Sequence, residues 1–258
     1  MDEEKQAASQ HHQGYMPPYN GYGPAEAEQG TFLKILLLCC KGQVGWELHR
    51  SLSPIGLVTA IARQEENGLS GDLSDPKALS ATIKSVSPDI IVNAAAYTAV
   101  DQAESKPEQS RRINAEAPVH LARMAKEADA WLIHFSTDYV FDGTGTTPWK
   151  ESALKGPINV YGKTKLEGEE AIRESGCRHL IFRTSWVYSA ACKNFIHTML
   201  RLAAKRDRLR VIDDQIGAPT GAELIADVGA HVIRTAYYDK KLSGTYHLTA
   251  AGETSWNF

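Results

Sequence analysis

Short apolar runs separated by amphipathic stretches constrain this chain more than any other feature. The runs are Leu33–Leu38, Leu57–Ile61, Asp89–Val92, Trp131–Phe135 and His179–Phe182. Each has the length of a strand and the Leu/Ile/Val content of one buried on both faces. Between them lie helical patterns: an amphipathic segment from Val44 to Leu52, then 76–86, 107–127 and 162–175. Strands alternating with helices build βαβ units, and these require a parallel sheet covered on both sides. The expected fold is α/β, a Rossmann-type doubly wound parallel sheet. After Arg183 the pattern is less regular, with helices near 193–206 and 221–237 and strands near 209–212 and 245–248.

This organisation divides the chain into three parts. Residues 1–31 are rich in Gln, Gly, Pro, Tyr and His and lack apolar periodicity, as a disordered extension would. Residues 32–190 form the expected nucleotide-binding domain. Residues 191–258 contribute to a smaller substrate-binding subdomain. That subdomain is expected to be incomplete, because Glu253–Phe258 reads as a helix start capped by Thr254 or Ser255 and lacking a body.

Several function classes find no support. A net charge of −3 gives no reason to expect nucleic acid or an anionic membrane as partner. The short basic run Lys205–Arg210 reads as a helix end and loop. No apolar run approaches the roughly 18 residues that would span a bilayer, and the N-terminus lacks a signal-peptide pattern. The cysteines at 39, 40, 177 and 192 form neither a Cys-x-x-Cys pair nor a zinc spacing. They read as reduced thiols of a cytoplasmic protein.

The turn after the first strand, Cys39-Cys-Lys-Gly42-Gln-Val-Gly45, carries two of the three glycines of a dinucleotide-binding turn. Such glycines let backbone amides and a helix N-terminus approach a pyrophosphate. Cys39 stands at the first glycine's place, and an ordinary strand-to-helix turn is the competing reading. The second strand is followed by Arg63 with no acidic residue, which favours the 2′-phosphate of NADPH and leaves NADH as the alternative. A plain surface charge competes for Arg63. Asp72, after a short extended stretch, suits an adenine edge. Small residues in Asn93-Ala-Ala-Ala-Tyr-Thr98, at the end of the third strand, would let a ligand approach the backbone.

Tyr161 and Lys165 lie four residues apart, on one face of a helix. A cation beside a tyrosine stabilises the phenolate and lowers a pKa that is otherwise near 10. The spacing alone is weak evidence, since Tyr237 and Lys241 repeat it at a solvated helix end. Ser136-Thr-Asp-Tyr139 sets the first pair apart. It follows an apolar run directly and places a hydroxyl at the top of the sheet, where it can polarise a carbonyl oxygen. Capping of a turn is the other reading of Ser136 and Thr137.

These segments, with Gly42–Leu48, Val92–Asp101, Asn159–Lys165, Arg183–Tyr188 and Asp214–Thr220, resemble the extended short-chain dehydrogenase/reductase superfamily. Within it the chain resembles the dTDP-4-dehydrorhamnose reductase family over about 33–258. The resemblance implies NADPH on Gly42, Gln43 and Val44, with Asp72 and Leu73 near the adenine and Ala96, Tyr97 and Thr98 along the nicotinamide half. It implies Tyr161 as the acid at the C4 oxygen of a 4-keto-6-deoxy nucleotide sugar. Lys165 would hold the nicotinamide ribose and lower the tyrosine pKa, and Thr137 would take the place of the usual serine. Asp138, Tyr139 and Trp186 become substrate contacts. Some members hold a divalent ion such as Mg2+ between the subunits of a homodimer. Glu47 and Glu223 stand at positions resembling its ligands, with an exposed helix carboxylate as the competing reading of each. Two other functions fit the same fold: a non-catalytic NADP-binding regulatory subunit, favoured by Cys39, and an NAD-holding epimerase or dehydratase, disfavoured by Arg63.

Overall fold

The computed structural model describes residues 32–256. The chain divides into Met1–Thr31 and Phe32–Phe258. The expected extension 1–31 lies outside the described residues.

Five strands of the second unit are the apolar runs: β1 (Lys34–Leu38), β2 (Leu57–Ile61), β3 (Ile90–Asn93), β4 (Trp131–Thr137) and β5 (Arg178–Thr184). With β9 (Gly244–His247) they form one parallel sheet in the order β2-β1-β3-β4-β5-β9. Side chains alternate across it. Ile35, Leu37, Ile90, Val92, Ile133, Leu180 and Phe182 face one core, which is closed by α1 (Gln43–Leu52) and α8 (Ala222–Tyr238). Leu36, Leu38, Ile91, Leu132 and Ile181 face the other, under α2 (Pro76–Val86), α5 (Ala117–Glu127) and α6 (Val160–Ser175). Each fully buried Leu or Ile contributes roughly 1.5–3 kcal/mol, so both layers are needed to hold the sheet.

Three expectations differ from the structure. The pattern at 107–127 is broken into α4 (Pro107–Arg111), a π-helical turn at Arg112–Glu116, and α5. The break lets Asn114 turn inward, where its amide clamps the backbone of Tyr97. Residues 209–212 form no strand, because no neighbouring strand is there to pair with them. Beyond 191, β9 extends the main sheet and α8 packs on α1. At the end, Thr254–Ser255 is a strand, β10, antiparallel to β7 (Ile216–Gly217), instead of a helix start.

α6 is placed with particular care. Asn159 caps it by accepting from the Gly162 amide at 2.7 Å, and Glu104 of α3 (Val100–Ser105) accepts from the Val160 amide at 2.8 Å. A carboxylate at a helix N-terminus is stabilising. Gly162 lies so close to the Tyr139 carbonyl that any side chain would collide with it. Deeper in, the Arg183 guanidinium of β5 grips the Glu169 carboxylate of α6 through two bonds of 2.9 and 2.6 Å, and the Ser136 hydroxyl of β4 donates to the same carboxylate at 2.5 Å. Both charged side chains are at most 1% exposed.

Removing one partner from a buried pair strands the other charge, at a cost of about 3–5 kcal/mol. Arg183→Met is therefore expected to lower the urea midpoint severely, and Glu169→Gln combined with Arg183→Met to recover part of the loss. A single variant as stable as the parent would show that the pair does not hold α6.

Candidate active site

The strand order reverses between β1 and β3, which opens a crevice at the carboxyl ends of the strands, where ligands bind in open α/β sheets. Three segments edge this crevice: the turn after β1, the segment after β3, and the end of β4 with the start of α6.

In the first segment Gly42 is the N-cap of α1, and no side chain caps the helix. The first amides of a helix have no partner within it, so this end is suited to an anion. A Cβ on Gly45 would collide with the Cys39 carbonyl, so the glycine allows the turn to close against the helix. Cys39 itself has φ 68°. That left-handed conformation costs a residue with a side chain roughly 1–2 kcal/mol and is where a glycine serves best. Its Sγ reaches toward Gly42, and burial pushes its thiol up. Gln43 carries a contact that its position in the sequence did not announce: its Oε1 accepts from the Ser189 hydroxyl and the Asn194 amide, each at 3.2 Å. Val44 packs on the α1-side core.

Arg63 is exposed and reaches Asp72 at 3.4 Å, so the two residues expected near the adenosine end are neighbours. Burial opposes ionisation of Asp72, but bonds from the Ser74 hydroxyl and amide, with Arg63 beside it, hold the carboxyl below its ordinary value. The Leu73 side chain is buried in the core beneath α2, so only its backbone is left for a ligand. Ala96, Tyr97 and Thr98 line the path out of β3, with Tyr97 fixed at both its amide and its carbonyl by Asn114.

Tyr161 and Thr137 are both buried, and the Tyr139 ring stands edge-on to Tyr161 with centroids 5.5 Å apart. Thr137 donates to Asp138 Oδ1 at 3.1 Å and accepts from the Tyr139 amide; Ser185 donates to Asp138 Oδ2 at 2.8 Å. Burial pushes the Tyr161 phenol well above its ordinary value; Thr137 works to lower it, while Asp138 and Tyr139 add to the rise. Burial also raises the Asp138 carboxyl.

Lys165 is fully buried, and burial pushes its ammonium down to about 8 against the opposing pull of Glu169. Its Nζ donates to the Phe135 carbonyl at 2.6 Å and lies 3.2 Å from His134 Nε2. The resemblance implied that Lys165 lowers the tyrosine pKa. Here the lysine is directed at β4, and the phenol rises instead.

Trp186 holds φ 45° in a tight turn before β6 (Val187–Tyr188) and stacks on Trp256 with centroids 3.6 Å apart. Gly217 presses so closely on the same ring that a side chain there would overlap it. The face expected for the sugar is therefore partnered by Trp256. Glu47 is bound to Arg50 at 3.2 Å, and Arg50 also binds Asp227 at 2.8 Å; Glu223 is exposed in the first turn of α8. Among the described residues no group of three or more His, Cys, Asp or Glu side chains could hold a metal ion. The Mg2+ expectation thus finds no support, since Arg50 neutralises one of its two carboxylates. The four cysteines are free. Among the described residues no helix is long and apolar enough to cross a membrane.

His134 and Glu169 escaped the sequence reading, and Asn93 and Arg183 entered it only as members of motifs, without roles of their own. The signal available was a polar residue inside an apolar strand, at 93, 134 and 183, and a carboxylate four residues beyond Lys165.

Residues 33–257 match the family described as RmlD substrate binding domain. The chain is 52% identical over 225 residues to the dTDP-4-dehydrorhamnose reductase of Salmonella typhimurium, covering 87% of this chain and 75% of that protein. It is 53% identical over 224 residues to the enzyme of the same name from Escherichia coli K12, with the same coverage. Among solved structures, a dTDP-4-dehydrorhamnose reductase from Clostridium acetobutylicum superposes with a TM-score of 0.79 at 36% identity, over 87% of this chain and 76% of that one. The Bacillus anthracis enzyme in complex with NADP gives 0.77 at 32% identity, over 86% and 76%. By its sequence over 33–257 and by its fold, the chain belongs to the dTDP-4-dehydrorhamnose reductase family.

Proposed function

We propose that this chain reduces the C4 keto group of dTDP-4-keto-6-deoxy-L-mannose with NADPH, giving dTDP-L-rhamnose. The observation that carries the reading is the convergence of Thr137, Tyr161 and Lys165 at the end of β4, on the same sheet edge as an uncapped helix N-terminus, in a chain half identical to enzymes named for this reaction.

The residues present fit the cofactor. Gly42, Gln43 and Val44 at the start of α1 suit its pyrophosphate, and the cradle closes only because Gly45 lacks a side chain. Arg63, exposed and joined to Asp72, suits a 2′-phosphate. Ala96, Tyr97 and Thr98, held by Asn114, suit the nicotinamide half. NADPH, when bound, supplies the hydride.

The chain's own residues supply the rest. Tyr161 is held as a neutral phenol, which is the state required of an acid that gives its proton to the C4 oxygen. The Thr137 hydroxyl stands beside it to polarise the carbonyl. Lys165, one helical turn further on, holds the nicotinamide ribose. Asp138 and Tyr139 border the phenol and contact the sugar.

Mixing the protein with NADPH and dTDP-4-keto-6-deoxy-L-mannose is expected to consume the reduced nicotinamide; a sample that binds NADPH and consumes none overturns the reading. Tyr161→Phe is expected to cut turnover by about 10²–10⁴-fold, the contribution of a positioned acid, while NADPH affinity stays unchanged. Near-normal turnover would remove Tyr161 from the chemistry. Cys39→Gly withdraws a thiol from beside Gly42 and relieves a left-handed residue, so NADPH should bind about three- to tenfold tighter, ~1 kcal/mol. Unchanged affinity on titration would show that the turn tolerates the thiol.

A further inference from the structure

Asn93 of β3 and His134 of β4 are partners across the parallel register, both buried and both on the α6 side of the sheet. Asn93 Nδ2 lies 3.1 Å from His134 Nδ1, and His134 Nε2 lies 3.2 Å from Lys165 Nζ. A three-member chain therefore runs from β3 to the lysine.

The direction of that chain is fixed at its far end. The Ala95 backbone amide reaches the Asn93 side chain at 3.1 Å. A backbone N–H only donates, so the atom it meets must be the amide oxygen, Oδ1. The Asn93 NH2 then faces His134, and Nδ1 must accept with its lone pair. Burial is the main cause that holds His134 far below its ordinary pKa, so the ring is neutral and carries one proton. With Nδ1 bare, that proton sits on Nε2 and points at Lys165. An ammonium has three donors and no acceptor, so it would meet the Nε2–H donor to donor. An amine has a lone pair for Nε2–H and still donates to the Phe135 carbonyl.

We propose that His134 is a positioning residue for the reaction: locked by Asn93 with its proton on Nε2, it shifts Lys165 from ammonium toward neutral amine in the cofactor-free protein. Other groups around the lysine set the limits of this effect. Glu169, on the same helix face, favours the ammonium, but its carboxylate is already bonded to Arg183 and Ser136. Tyr161, one turn back, is a neutral phenol. From β3 only the uncharged Asn93 enters. Burial drives the lysine in the same direction as the histidine. Binding NADPH requires Lys165 to leave His134 and donate to the ribose hydroxyls, so the amine takes up a proton from solvent as the cofactor enters. Only this last step rests on the proposed function.

The tautomer is read directly from long-range 1H–15N spectra of the cofactor-free protein with 15N-labelled histidine. His134 is expected to show a protonated Nε2 and a bare Nδ1 through neutral pH, and a proton on Nδ1 overturns the proposal. Asn93→Asp is nearly isosteric. It keeps an acceptor for the Ala95 amide but turns a second oxygen to His134, so the proton is expected to move to Nδ1. Its staying on Nε2 would show that Asn93 does not set the tautomer. Calorimetry of NADPH binding in mildly alkaline buffers of different ionisation enthalpy is expected to show net proton uptake by the wild type. That uptake should fall at least twofold in Asn93→Asp, whose lysine is already an ammonium. Equal uptake in both proteins overturns the coupling to Lys165, whatever the enzyme's turnover.

Discussion

The buried ion pair between Glu169 and Arg183 is where the helix that carries Tyr161 and Lys165 meets strands β4 and β5. Glu169 sits four residues beyond Lys165 and eight beyond Tyr161, on the same face of α6. Its carboxylate takes two bonds from β5 and one from the Ser136 hydroxyl of β4, immediately before Thr137. The Arg183 guanidinium lies 5.2 Å over the Phe141 ring, which stacks in turn on Trp149. One carboxylate therefore sets the spacing between the strand-end hydroxyl and the tyrosine. A pair of this kind gains little net stability over apolar packing, because desolvation offsets most of the attraction. Its value is positional, since the charges can be satisfied in one arrangement only.

Burial governs the titrating groups around that pair, and it acts on them in opposite senses. It raises the phenol of Tyr161 and the carboxyl of Asp138, and it lowers Lys165 and His134. All four shifts favour the neutral form, as desolvation must. Burial thus biases each of these groups toward its uncharged form. An acid that must release a proton only when hydride arrives is well served by such a surrounding, because its proton stays in place until the substrate oxygen becomes basic.

Much of the scaffold was legible in the sequence because parallel strands buried on both faces must be continuously apolar. The five runs from Leu33 to Phe182 became β1 to β5 for that reason. Residues 209–212 show the limit of the signal: strand-prone side chains make no strand without a partner. Likewise, nothing local tells that β9 will add to the main sheet or that a π-helical turn will interrupt 107–127. Thr137, Tyr161 and Lys165 could be singled out as candidates because their order along the chain is itself a pattern. His134 and Asn93 could not, since their meaning arises from cross-strand register, which only the folded sheet supplies. The same holds for Trp186, whose contact with Trp256 joins residues seventy apart.

Tyr161 waits as a protonated phenol, kept so by burial and by the neighbouring Asp138. Ultraviolet difference titration of phenolate, comparing the cofactor-free protein with Tyr161→Phe, tests it most directly. The Tyr161 phenolate is expected to appear only well above the ordinary tyrosine value of 10.0. A phenolate signal belonging to Tyr161 near neutral pH would contradict it.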